Sequence, residues 1–249
     1  GYKFKGWSEK KGDTETLGDL YTPTSNITLY AVWESDIYTV NLSAPDADNR
    51  DDIIKNLYYK VGVGWYKTIE DAKNEENRVV SISDTLPKKT YKITLKPGKE
   101  QPDIAETSYF NFEGFVLNGE TFIGPAGIIV KESITSVDNN ATISVKWSAS
   151  PSSISLPSYT YGGYEFAGWS TIENDDPAIA IKTAHYVPTK NNEVLYGIWS
   201  ANIYTLTLVA EDTTSGPYDY TRNLYYKVDS GWYFDKEATE RKVSETGRI

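Results

Sequence analysis

Gly1-Tyr2-Lys3-Phe4-Lys5-Gly6-Trp7-Ser8 opens the sequence, and Gly163-Tyr164-Glu165-Phe166-Ala167-Gly168-Trp169-Ser170 restates it 162 residues later. More blocks repeat in the same order. Leu29-Tyr30-Ala31-Val32-Trp33 returns as Leu195-Tyr196-Gly197-Ile198-Trp199, and Ile37-Tyr38-Thr39-Val40-Asn41-Leu42 as Ile203-Tyr204-Thr205-Leu206-Thr207-Leu208, both at an offset of 166. Asn56-Leu57-Tyr58-Tyr59-Lys60-Val61 returns unchanged at Asn223–Val228, and Gly64-Trp65-Tyr66 returns at Gly231-Trp232-Tyr233, both at an offset of 167. Blocks that keep their order at nearly one offset define a tandem repeat, with small loop insertions between copies. A looser copy lies between them, where Phe110-Asn111-Phe112-Glu113-Gly114-Phe115 stands for the aromatic-Gly-Trp block and Ile143-Ser144-Val145-Lys146-Trp147 closes it.

The blocks read as strands. Tyr2 and Phe4, and Trp7 beyond a glycine, form an aromatic strand bent at Gly6. Ile27–Trp33 is β-branched and aromatic, and Ile37–Leu42 alternates apolar and polar residues. Leu57–Val61 and Trp65-Tyr66 flank glycines that suit a hairpin turn. Thr68–Lys73 predicts a short helix with Thr68 as its cap and Glu70 and Asp71 at the favourable end of the helix dipole. Asp235-Lys236-Glu237-Ala238 predicts the same helix in the second copy. Leu-Pro pairs at Pro87 and Pro157 mark loops that lead into aromatic strands, and Ser148–Ser153 is a Ser/Ala/Pro linker. The expected divisions are the end of a short unit at 1–35, a long unit at 36–147 divisible into half-units near Pro87, a short unit at 148–201, and the start of a second long unit at 202–249. The expected class is mostly β with short helices (α+β), as small tandem domains in an elongated arrangement. The start falls inside a repeat, so the sequence reads as a fragment whose targeting signals lie elsewhere.

Composition narrows the function. The 249 residues carry a net charge of −10, which repels phosphate backbones and argues against nucleic acid as a partner. No apolar run approaches the length of a membrane span. The absence of cysteine removes disulfides, thiol catalysis and cysteine-ligated zinc, and the single histidine, His185, stands alone between Ala184 and Tyr186. All seven tryptophans fall at repeat landmarks, which predicts that they mark cores.

The Gly-Tyr-x-Phe-x-Gly-Trp block, followed after a variable loop by Ile-Thr-Leu-Tyr-Ala-Val-Trp, resembles the Listeria–Bacteroides repeat of internalin-type and other bacterial surface proteins. The match is close at 1–33 and 163–199 and looser at 109–147, where Phe115 replaces tryptophan. The resemblance implies a β-grasp-like fold, secretion, and display at the bacterial cell surface or cell wall as spacer arrays. It brings no catalytic residues and no cofactor.

Three readings follow from the sequence and the resemblance: a stalk or spacer for adhesion, a module that itself binds a host protein or polysaccharide, and an accessory domain of a large secreted enzyme. Neighbouring repeats of the same chain are the expected contacts. No convergent polar constellation points to catalysis. Asp46, Asp48, Asp51 and Asp52 offer oxygen ligands at spacings a calcium loop uses, but the loop lacks the EF-hand glycine and the closing glutamate. The equivalent loop, Glu211–Pro217, lacks the Asp-x-Asp pattern, so a solvated turn is the favoured reading. Glu173–Pro177 is read the same way. The candidate ligand face is Tyr58, Tyr59 and Tyr66 with Tyr225, Tyr226 and Tyr233, set against the plainer reading that alternate tyrosines fill the core.

Overall fold

The computed structural model describes residues 1–210 and 220–239. The loop expected at Glu211–Pro217 lies outside the described residues. The chain is mostly β. In order it forms β1 (Tyr2–Ser8), β2 (Tyr30–Ser35), β3 (Ile37–Ser43), β4 (Asn56–Lys60), β5 (Gly64–Tyr66), helix α1 (Ile69–Asn74), β6 (Thr90–Lys96), β7 (Ile104–Tyr109), β8 (Phe112–Leu117), β9 (Glu120–Ile123) and β10 (Ala141–Trp147). There follow β11 (Ile154–Ser155), β12 (Tyr164–Ser170), β13 (His185–Tyr186), β14 (Glu193–Ala201), β15 (Ile203–Ala210), β16 (Tyr220–Lys227) and β17 (Gly231–Tyr233).

Two compact units use these strands out of chain order. Unit 1 holds Gly1–Thr90 and Tyr109–Pro151, and unit 2 holds Tyr91–Ser108 and the described residues from Ser152 onward. The repeat divisions of the sequence and the compact units of the fold are therefore different divisions of one chain.

Unit 1 is built on a sheet of order β5-β4-β3-β10-β8-β9. Residues of β3 alternate half-buried and buried, because Tyr38, Val40 and Leu42 all point to one face. That face joins Leu57, Tyr59, Trp65, Phe115, Phe122, Ile123 and Ile143 in the core. On the opposite face of the β4–β5 hairpin, Tyr58 pairs with Tyr66, and α1 packs against these strands. Thr68 caps α1 by accepting from the Asp71 N–H at 3.1 Å, and Lys60 reaches the far end, donating to the Lys73 carbonyl at 3.3 Å. β10 runs parallel to β3, with Ala141 opposite Val40 and Ile143 opposite Leu42.

Unit 2 has a sheet of order β12-β14-β6-β7. β14 runs parallel to β6, with Glu193 opposite Ile93 and Leu195 opposite Leu95. The core is Ile93, Leu95, Ile154, Leu156, Trp169 and Leu195. The β6–β7 hairpin thus leaves unit 1 at Thr90, supplies the parallel strand and two core residues of unit 2, and returns at Tyr109. β15, β16 and β17 form a separate three-stranded sheet.

The three aromatic-Gly hairpins share one register. Phe4 faces Trp33, Phe112 faces Trp147 and Phe166 faces Trp199, and in each a bulge follows before the glycine pairs with the residue preceding that tryptophan. The bend expected at Gly6 is this bulge, with Gly6 at φ +153°. The looser copy at 109–147 is therefore the same hairpin.

Two expected elements differ. The strand expected over Ile27–Trp33 begins at Tyr30, whereas its counterpart begins at Glu193. The counterpart has β6 as a partner for Glu193–Tyr196, and among the described residues β2 pairs with β1 alone. Backbone without a ladder partner does not hold a strand. The helix expected at Asp235–Ala238 is a turn, closed by the Asp235 carboxylate, which accepts from the Thr239 N–H at 3.0 Å.

Candidate functional site

Four of the tryptophans clamp distant segments through the indole N–H. Trp65 donates to the Lys131 carbonyl at 2.8 Å, Trp169 to the Pro157 carbonyl at 2.9 Å, Trp199 to the Pro97 carbonyl at 2.7 Å and Trp147 to the Asp46 carboxylate at 3.1 Å. Each ring buries apolar area while its one donor satisfies a polar group that the loop would otherwise leave open. The expectation that all seven mark cores needs correction. Trp65 and Trp169 are buried and Trp147 and Trp199 half-buried, but Trp7, Trp33 and Trp232 are exposed.

The exposed rings are those whose repeat partners have found cover. Phe4 packs edge-on against Trp7 at 5.4 Å and Trp33 at 5.5 Å, and Phe166 packs against Trp169 at 5.6 Å and Trp199 at 4.9 Å. The triads match, yet Trp7 is 49 % exposed and Trp169 only 1 %. In unit 2, Tyr159 closes on Phe166 and Trp169, and Ile93 and Leu95 of β6 complete the core. The same contrast separates Tyr38, 7 % exposed on β3, from Tyr204, 51 % exposed on β15, because β10 flanks β3 while, among the described residues, β15 pairs only with β16.

The acidic loop is held by its own unit. Asp46 accepts from Lys89 and from the Trp147 indole, Asp48 accepts from the Thr90 hydroxyl at 2.7 Å, and Asn49 bridges the Leu86 carbonyl and the Lys88 N–H. Lys89 also lies over the Phe110 ring at 4.7 Å. Partial burial opposes ionisation of Asp46, but the hydrogen bonds from Lys89 and Trp147 and the Lys89 charge outweigh it and hold the carboxyl below the usual range. Asp51 and Asp52 are exposed in the turn beyond. Among the described residues no three Asp, Glu or His side chains gather as a metal site. In the Glu173–Pro177 loop, Asp175 accepts from Ser170 at 2.5 Å and Asp176 caps a short 3-10 turn through the Ala178 N–H.

Of the candidate tyrosine face, Tyr59 and Tyr66 are buried, and Tyr58, Tyr225, Tyr226 and Tyr233 are half-buried. Tyr59 packs against Trp65 at 5.0 Å inside the core of unit 1. His185 is exposed in β13, where its backbone pairs with Ser155. An open groove of about 600 Å³ lies in unit 2 beside Trp169, between Leu156, Phe166 and Ile181, with Glu165 and Lys182 at its wall.

Two constructions escape a reading by motif. A serine-aspartate turn follows Gly6-Trp7 and Gly168-Trp169: Ser8 donates to Asp13 at 2.7 Å as Ser170 does to Asp175, and each serine oxygen accepts from the N–H two residues on. Its signal was the same Ser-to-Asp spacing of five residues in both copies. The second is the joint between a short hairpin and the long hairpin after it. The Asp36 N–H donates to Gly1 and the Val61 N–H to Asp36; in the second copy Asn202 donates to Gly163 and Val228 to Asn202, all at 2.9–3.1 Å. Tyr2 lies against Gly62, where a Cβ would meet its hydroxyl at 2.5 Å. The counterpart of Gly62 is Asp229, also at positive φ, and there the Tyr164 hydroxyl donates to the carboxylate.

The sequence model of the Listeria-Bacteroides repeat domain matches residues 1–32 and 115–197. These stretches contain β1 with the start of β2, and the run from the second half of β8 to the first half of β14. Repeats of this family occur in bacterial surface proteins. No curated protein and no solved structure matches the chain. Among the described residues no helix is long and apolar enough to cross a membrane.

Proposed function

We propose that the chain is a non-catalytic stretch of a bacterial surface protein, displayed outside the cell, that acts as a spacer holding an adhesive part away from the surface. The observation that carries this reading is the duplicated joint. The same backbone hydrogen bonds link Gly1, Asp36 and Val61 in one copy and Gly163, Asn202 and Val228 in the other. A spacer needs one reproducible connection between a short repeat and the long repeat after it, and neighbour contacts of this kind add stability repeat by repeat. The groups that suggested chemistry are engaged structurally: Asp46 by Lys89, Asp48 by Thr90, Tyr59 by the core, and Tyr66 by burial on the hairpin face that α1 packs against. We read each unit as β-grasp-like. The support is an antiparallel hairpin, β3–β4 or β6–β7, whose first strand is flanked in parallel by a later strand, β10 or β14.

The test is a glycan array and a binding screen against host-cell surface proteins with the purified chain. The spacer reading predicts no saturable binding. The runner-up, a module that binds a host protein or polysaccharide directly, has one observation in its favour: the exposed triad of Phe4, Trp7 and Trp33. Saturable binding that is lost in Trp33→Ala would replace the spacer reading with that one.

A further inference from the structure

We infer that β2 is an acceptor edge, completed by a parallel strand from a β6–β7-type hairpin that a preceding long unit of the same polypeptide supplies. Two copies of one element differ in what covers them. β12–β14 and β1–β2 share their bulge, their register and their aromatic triad. In unit 2 the edge of β14 carries β6, paired from Glu193 with Ile93 to Tyr196 with Lys96. Shifted by the repeat offset of 166, these positions are Ile27, Thr28, Leu29 and Tyr30. Ile27–Leu29 lie outside any strand although their composition is that of one, and Phe4, Trp7 and Trp33 are about half exposed. Among the described residues nothing occupies this edge backbone and apolar face at the place where the second copy receives its partner, and an open edge of this kind is a template for strand addition.

The β11–β13 pair of unit 2 shows the same difference. β11 pairs with β13 through Ile154 opposite Tyr186, and the counterparts of His185 and Tyr186 are Leu20 and Tyr21, which form no strand. Leu20 is 96 % exposed. In this chain both the β6–β7 hairpin and β11 precede the β12–β14 pair that they cover, so the occupant of β2 comes from the N-terminal side as well. The β6–β7 hairpin of a second copy is not free to serve, because its own unit 2 uses it.

One residue shapes the occupant. The Pro97 carbonyl oxygen sits where a Cβ on Gly197 would come within 2.4 Å, and the counterpart of Gly197 is Ala31. A hairpin that docks on β2 must leave the strand before that point. The long units are therefore matched to their own short units and not interchangeable. The inference does not rest on the spacer reading, since a ligand-binding array would be joined in the same way.

The test uses the whole chain and a synthetic peptide of residues 89–96, which pairs through Ile93–Lys96 and stops before Pro97. The chain contains no cysteine, so disulfide trapping reports only the introduced pair. Thr28→Cys in the chain and Thr94→Cys in the peptide occupy the in-register pair, and peptides carrying Ile93→Cys or Leu95→Cys are the out-of-register controls. The expected result is an in-register yield about tenfold above either control. With unsubstituted chain and peptide, amide exchange at Ile27–Tyr30 should slow by about tenfold. A peptide carrying Ile93→Asp and Leu95→Asp should change nothing. Equal trapping in every register, or unchanged exchange at Ile27–Tyr30, overturns the inference. So does a chain that self-associates on its own and already protects these amides, because a second copy is then the occupant.

Discussion

Gly197→Ala probes the place where β6 hands over to the loop after it. Gly197 sits in β14, and its role there is steric: an added Cβ meets the Pro97 oxygen at 2.4 Å and two more Pro97 backbone atoms at 3.0 Å. Ordinary contact requires the carbonyl to retreat by about 1 Å. The same oxygen accepts the Trp199 indole at 2.7 Å, so the retreat breaks that bond. Overpacking of this kind costs about 1–3 kcal/mol, and a half-buried hydrogen bond adds about 1 kcal/mol. The expected loss is about 3 kcal/mol, borne by unit 2 alone. Urea unfolding followed by tryptophan fluorescence measures it, and amide exchange at Ile93–Lys96 and Glu193–Tyr196 locates it. A loss below about 0.5 kcal/mol, the range of an ordinary surface change, would refute the close approach of Pro97. So would a loss that leaves these amides as protected as before.

Trp169→Ala should destabilise unit 2 by about 3–5 kcal/mol, because it empties a buried ring site, whereas Trp7→Ala at the matching exposed position should cost no more than about 1 kcal/mol; equal losses in urea titrations would contradict the difference in cover. The folded Asp46 carboxyl titrates below its unfolded value. Its contribution is therefore complete above the unfolded pKa of about 3.9 and is lost as pH falls through the lower folded value. Asp46→Asn should flatten the acid side of the stability profile at a cost near 1 kcal/mol at neutral pH, a modest figure because the pair is partly solvated; an unchanged acid slope would remove Asp46 from the account. Adding calcium or a chelator should leave the melting temperature unchanged, since Asp46 and Asp48 already bind Lys89 and Thr90; a calcium-dependent rise would restore the metal reading.

Much of the local structure is legible in the sequence. Alternation along Ile37–Leu42, Thr68 ahead of the helix, and Gly6 at the bend each act within a few residues, so the chemistry that shapes them is written beside them. The sites were less legible. Tyr58, Tyr59 and Tyr66 look alike in the sequence, and only strand pairing and the packing of α1 make Tyr59 a core ring, Tyr66 a ring buried on the opposite face and Tyr58 a half-buried one. Cover was not legible at all. Tyr91, Ile93 and Leu95 alternate with polar residues and mark a strand, but nothing near them says that its partner lies about a hundred residues on, in β14. For the same reason Ile27–Trp33 reads as one strand and forms only its second half: the composition is local and the partner is not.

β6 lies inside unit 2 beside β14, although the chain on either side of the β6–β7 hairpin belongs to unit 1. Cross-strand NOEs test it most directly, measured between Ile93–Lys96 and Glu193–Tyr196 in the full chain. A parallel ladder is expected, in which Ile93 faces Glu193 and Leu95 faces Leu195. Absence of that ladder, with Ile93–Lys96 paired instead to a strand of the β3–β10 sheet, would contradict it.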